Sequence, residues 1–162
     1  MILKIFHMCV VNNKQQKKCY KAYTIVRPKL PISILIAEDE EDIAEQYRMG
    51  FENRGHKVKV THNGVECINE YRRARQSLGE KEPQIYDVII IDHNMPLKDG
   101  AMLAEEIREI NPEQIIVFAT AYGNQLIMGL EKFEDVDIVT KPLSITNLIQ
   151  MVEDRHYKTV EA

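Results

Sequence analysis

The chain has 162 residues, of which 44% are hydrophobic and 28% charged, with a formal net charge of −4. That suits one well-buried soluble domain with extensions and is too short for two ordinary domains; no apolar run approaches the roughly 20 residues that span a bilayer, so membrane insertion is not expected and a cytoplasmic location is. Seven of the 21 Lys/Arg and none of the 25 Asp/Glu fall in residues 1–31, which leaves 14 basic and 25 acidic residues in 32–162; such an acidic body argues against direct nucleic-acid binding and suits carboxylates gathered around a cation.

Residues 1–31 show no sustained period and end in Arg27-Pro28-Lys29-Leu30-Pro31, which reads as a linker. They are expected to form a basic, poorly ordered N-terminal extension. The opening Met1–Phe6 run is short and interrupted by Lys4, so it does not read as a signal peptide. Cys9, Cys19 and Cys67 have no CxxC spacing and no histidine pair nearby, and are read as free thiols and not metal ligands.

From Ile32 onward short apolar runs alternate with helical patterns, the mark of a parallel sheet covered on both faces. The strands are expected at residues 34–37, 58–60, 88–91, 115–119 and 136–139, the third and fourth being the most apolar and hence central. Between them run helical stripes such as Ile43, Tyr47, Gly50 and Leu103, Ile107, Ile110. Gly55 and Asn111-Pro112 are placed to end the first and third helices, and Ser144 to cap the last, whose Ile145, Leu148 and Val152 face the sheet. Arg72, Arg73 and Arg75 in the second helix read as a solvated surface, since no aromatic platform accompanies them. The body is placed at 32–154, followed by a short C-terminal tail at 155–162.

Open parallel sheets form their functional crevice at the carboxyl ends of the strands. Glu38-Asp39-Glu40 follows the first strand, Asp92 ends the third, Thr120 the fourth, and Lys141-Pro142 the fifth. Crowded carboxylates repel one another unless a hard cation such as Mg²⁺ relieves them, and Asp39 and Asp92 are the leading direct ligands. Phosphoryl transfer needs positioning and positive or hydrogen-bonding groups around its oxygens, which Lys141 and Thr120 can supply.

The runs Ile34–Glu40 and Asp92–Gly100, the triplet Ala119-Thr120-Ala121 and the pair Lys141-Pro142 together resemble the receiver domains of two-component response regulators. The resemblance covers about residues 32–154. It implies a flavodoxin-like, doubly wound α/β fold with a five-stranded parallel sheet in the order 2-1-3-4-5 and five helices. It also implies that Asp92 is the phosphoacceptor, that Glu38, Asp39, Asp92 and the backbone carbonyl of Asn94 hold Mg²⁺, and that Thr120 is the switch hydroxyl and Lys141 the phosphoryl-contacting lysine. The Lys-Pro bond is commonly cis in the family, and Asp99-Gly100 resembles its turn into the third helix. A sensor histidine kinase or phosphotransfer protein would be the donor and a downstream protein the reader. The expected role is a stand-alone switch, since no DNA-binding element follows the receiver. The sequence departs from the family pattern twice: Ile138 stands where an aromatic residue is usual, and the connection near residues 77–83 is longer.

Three carboxylates at a helix start could instead merely meet the helix dipole. A partnerless Asp92 directly after Ile89-Ile90-Ile91 is harder to explain that way, because its burial would be costly. An unphosphorylated interaction module would be indicated by loss of Asp92, Lys141 or the acidic pair, and none is lost. A hydrolase working through an aspartyl-phosphate would often carry a second Asp two positions beyond the nucleophile, where this chain has Asn94.

Overall fold

The computed structural model describes the backbone of residues 2–11, 17–26, 30–78, 85–121, 133 and 135–161, with side chains described from residue 30 to residue 159 of that set except residue 78. The chain divides into two compact units, Met1–Leu30 and Pro31–Ala162. In the first, β1 (Ile2–Val11) and β2 (Lys17–Val26) pair antiparallel, from Ile2 opposite Val26 to Val11 opposite Lys17. Two paired strands thus stand where the sequence showed no regular element. Both segments are rich in the β-branched and aromatic residues that suit a pleated strand, while apolar residues at both parities hide the two-residue period.

The second unit runs β3 (Ser33–Ala37), α1 (Glu41–Glu52), β4 (Lys57–Thr61), α2 (Gly64–Leu78), β5 (Val88–Asp92), α3 (Gly100–Ile110), β6 (Ile115–Thr120), β7 (Asp137–Thr140) and α4 (Ile145–Glu161). All neighbouring strands are parallel, in the order β4-β3-β5-β6-β7. Numbered within the unit this is 2-1-3-4-5, as the sequence implied. The described residues of this unit hold four helices where five were expected. The remaining one would fall between β6 and β7, at residues 122–132, outside the described residues, as does most of the long connection before β5. The tail expected at 155–162 is replaced by a continuation of α4 to Glu161.

Strands β5 and β6 are buried at every position. Successive strand residues point to opposite faces, so each strand feeds two cores. Leu35, Ile89, Ile91 and Phe118 pack with Ile68 and Tyr71 of α2 and Leu103 and Ile107 of α3. On the other face Ile34, Ile36, Ile90 and Val117 pack with Tyr47 and Phe51 of α1 and Leu148 and Val152 of α4. Each fully buried Ile or Leu contributes about 1.5–3 kcal/mol, and this two-sided burial is what holds the strand ends in one plane. The helix stripes are met with a shift: Ile43, Ile110 and Ile145 lie at the margins of these cores, only partly buried. At Gly50 a Cβ would lie 2.5 Å from Ile145 Cγ1, so the missing side chain lets α1 and α4 approach.

The pole of the sheet opposite its carboxyl ends is fastened by a buried histidine. His56 Nδ1 accepts the Ile32 amide at 3.2 Å, so the ring proton sits on Nε2, which faces Glu153 Oε1 of α4 at 3.1 Å. The link joins the starts of β3 and β4 to the last helix. His56→Leu strands the Ile32 amide and removes a partner from a buried carboxylate, and should lower the unfolding free energy by about 1–3 kcal/mol in urea denaturation, with the native far-ultraviolet spectrum retained.

Candidate functional site

The carboxyl ends of β3, β5, β6 and β7 lie side by side. Ala37 pairs with Ile91, Asp92 with Ala119, and Thr120 with Thr140. Glu38 therefore leaves β3 level with Asp92, and Lys141 leaves β7 one residue beyond the Thr120 rung. Backbone bonds fix both departures: the Glu38 amide donates to Thr61 O at 3.1 Å and the Lys141 amide to Thr120 O at 2.7 Å. The Lys141-Pro142 bond is cis.

Glu38, Asp39 and Asp92 each place a carboxylate oxygen within 4.8 Å of the others. Lys141 Nζ donates to Glu38 Oε2 at 2.7 Å and to Asp92 Oδ2 at 2.8 Å. Glu38 is 1% exposed, Asp92 7% and Thr120 4%, whereas Asp39 is open to solvent. One ammonium thus faces three carboxylates, and the negative excess sits at the mouth. Glu38 Oε1 is buried and has no hydrogen-bond partner among the described residues. An orphaned carboxylate oxygen beside two further carboxylates suits a hard, oxygen-seeking cation such as Mg²⁺.

Burial pushes the Glu38 carboxyl up to about 7, against the opposing hydrogen bond from Lys141. Burial by itself would lower the Lys141 ammonium, but its hydrogen bonds to Asp92 and Glu38 outweigh this and hold it above its ordinary value. The lysine is therefore a fixed positive charge, and the Glu38 carboxyl holds its proton more readily than an ordinary carboxyl.

The loop after β5 is held from both ends. Asp92 Oδ1 accepts the Asn94 amide at 3.2 Å, and His93 O accepts the Gly100 amide at 2.9 Å. Asp99 caps α3 by accepting the Met102 amide at 2.9 Å, a contact that stabilises a helix by about 1 kcal/mol. A Cβ on Gly100 would lie 2.6 Å from Asp92 O and one on Gly64 2.7 Å from Lys98 O, so both helix starts press directly on this loop. Leu97, at its tip, has φ 69° and is 83% exposed. His93 is buried, its ring steeply inclined to that of Phe118.

All the residues singled out in the sequence, Glu38, Asp39, Asp92, Asn94, Thr120 and Lys141, meet at this edge. Sequence reasoning missed the direct Lys141–Glu38 contact, for which residues 103 positions apart gave no signal. It also missed Gly64, although Asn63-Gly64 at a helix start could have suggested a cap; Asn63 Oδ1 accepts the Glu66 amide at 2.8 Å. Ile138 lies on the edge strand β7, 43% exposed, and Tyr122, two residues past Thr120, is outside the described residues.

A family model described as the response regulator receiver domain matches residues 34–153. The transcriptional regulatory protein PcoR of Escherichia coli is 31% identical over 121 residues, which are 74% of this chain and 49% of that protein. The chain thus spans about half the length of this relative. Among solved structures, the receiver domain of the Francisella response regulator 1452 is 30% identical with a TM-score of 0.63, covering 79% of this chain and 98% of that one. The CheY-like receiver domain protein of Methanospirillum hungatei, 18% identical, superposes with a TM-score of 0.68 over 82% of this chain and 98% of its own, a likeness of fold.

The raised Glu38 carboxyl has a signed consequence for stability. A carboxyl held in the folded state above its ordinary 4.5, at about 7, makes the folded chain bind more protons than the unfolded one between those values. Its contribution is therefore favourable at low pH and is lost as pH rises through about 7. Without divalent cations, Glu38→Gln should flatten the fall in stability between about pH 4.5 and 7 and be the more stable protein at pH 8, as read from denaturation midpoints across pH.

Proposed function

The chain belongs to the response regulator receiver family, and we propose that it is a phosphorylation switch that takes a phosphoryl group on Asp92 from a sensor histidine kinase or phosphotransfer protein in a Mg²⁺-dependent reaction. It catalyses only its own phosphorylation and dephosphorylation and signals through phosphorylation-dependent contacts with a downstream protein. The observation that carries this reading is the Lys141 ammonium 2.8 Å from the Asp92 carboxylate, with two further carboxylates in reach of the same cation position.

In the transfer, an Asp92 carboxylate oxygen bonds to phosphorus as the bond from phosphorus to the donor's nitrogen breaks, and the electron pair leaves with the donor imidazole. Glu38, Asp39, Asp92 and the Asn94 carbonyl would hold Mg²⁺, which when bound supplies positive charge against the carboxylates and the phosphoryl oxygens. Lys141 balances charge from the β7 side, and being already hydrogen-bonded at the acceptor it needs little reorganisation as charge develops. Thr120, at the end of β6, offers a hydroxyl to a phosphoryl oxygen. The burial of Asp92 and Thr120 keeps water from most of the linkage.

A phosphorylated Asp92 adds negative charge and strong acceptors, which would draw Thr120 and Lys141 towards it. Ile138 is smaller than the aromatic residue usual at its position and partly exposed, so the change at β7 is modest.

With acetyl phosphate and Mg²⁺, intact-mass measurement should find one hydroxylamine-labile phosphoryl group per chain, and none in Asp92→Asn; equal labelling of that variant would remove Asp92 from the role. In titration calorimetry Asp39→Ala should weaken Mg²⁺ binding by about tenfold or more, and Glu38→Gln by less if its contact runs through water. Unchanged affinity in Asp39→Ala would place the cation elsewhere.

A further inference from the structure

We propose that Thr61, the last residue of β4, is a positioning residue for cation binding that fixes where the Glu38-Asp39 pair leaves β3, a role that rests on the reading of the acidic cluster as a Mg²⁺ site. The segment between β3 and α1 has little of its own to hold it. Glu40, at the N-cap of α1, makes no side-chain cap, so the helix start does not secure residues 38–40 from that end. Among the described backbone bonds of these three residues, the one that reaches another strand runs from the Glu38 amide to Thr61 O at 3.1 Å. Both carboxylates of the pair project from the residue at this bond and the one after it, so the place of Thr61 O sets theirs.

The anchor itself stands at the end of an outer strand. β4 lies at one side of the sheet and pairs with β3, from Ser33 opposite Lys57 to Ala37 opposite Thr61. Strand ends of this kind are where local opening costs least. Along β4 exposed and half-buried residues alternate until Thr61, which is fully buried. Its hydroxyl donates to Ile36 O at 2.8 Å, a side-chain bond between the two strands just where their ladder stops. The Ile36 carbonyl has two lone pairs and can take this bond beside one of the ladder.

Beyond Thr61 the chain is tied to α2. The His62 amide donates to Glu66 Oε2 at 2.9 Å and the Glu66 amide to Asn63 Oδ1 at 2.8 Å, while Gly64 lies against Lys98 O of the acceptor loop. Thr61 is thus held by β3 through its hydroxyl and by α2 through the turn that follows it. Its carbonyl passes that placement to the Glu38 amide, and so to the two acids that would meet the cation.

Thr61→Val keeps the branched shape and removes the hydroxyl. In titration calorimetry on folded full-length protein it should weaken Mg²⁺ binding about five- to tenfold, and Thr61→Ser, which keeps the hydroxyl, should stay within about twofold of the unsubstituted chain. With Asp39→Ala already present, Thr61→Val should change Kd by less than about twofold, because the direct ligand it positions is gone. A role in stability alone would lower the urea midpoint and leave Kd unchanged; that result, or an equal loss of affinity with and without Asp39, would overturn the proposal. If Thr61→Val does not fold, hydrogen exchange of the unsubstituted protein decides. A bond that favours the cation is favoured by it to the same degree, so Mg²⁺ should slow exchange of the Glu38 amide about fivefold or more, and unchanged exchange would sink the idea. Failure of the unsubstituted protein to bind Mg²⁺ removes the cation site and this role together, whereas binding left intact in Thr61→Val removes this role alone.

Discussion

One ammonium group sits between two buried carboxylates that arrive from different strands. Lys141 contacts both Glu38 and Asp92 with hydrogen-bond lengths of 2.7 and 2.8 Å, and its positive charge eases the repulsion between them. The contact ties the end of β7 to the ends of β3 and β5 across the width of the sheet. It also leaves the cluster short of positive charge, since three carboxylates face a single lysine. That deficit suits a divalent cation, and part of the negative charge, on Asp39, is in contact with water.

The strand ends hold this arrangement because the sheet behind them has no freedom to slip. β5 and β6 are buried on both faces, so a one-residue change of register would exchange the residues of two filled cores. For the same reason this part of the molecule was legible. The run Val88-Ile89-Ile90-Ile91 admits few readings other than a central strand, and a carboxylate placed directly after it must have a partner. The acidic triplet, the Asp92–Gly100 segment, Thr120 and Lys141-Pro142 each mark a strand end, and a parallel sheet brings strand ends to one edge.

What escaped the sequence has a common cause, which is that it depends on pairing and not on local pattern. His56 and Glu153 lie 97 residues apart, and nothing near either residue indicates the other. The N-terminal strands carry apolar residues at both odd and even positions, so the alternation that identifies a half-buried strand is missing. The last turns of α4 fall where the sequence reading places a tail. Arg155 reaches across to Asp135 and to Asp137 at 3.4 Å, and Tyr157 packs at the margin of the core, so these turns are held by contacts with distant parts of the unit.

Two glycines flank the acceptor loop, Gly100 against the carbonyl of Asp92 and Gly64 against that of Lys98. With no side chain between helix start and loop backbone, there is no compressible layer to absorb a displacement on that side. The β5–α3 loop is therefore packed backbone against two helix starts, whereas the opposite side of the cleft is closed by the side chains of Thr120 and Lys141. A side chain at either glycine would have to displace the loop that follows the Asp92 carboxylate, so the shape of this side of the cleft is a property of where side chains are missing.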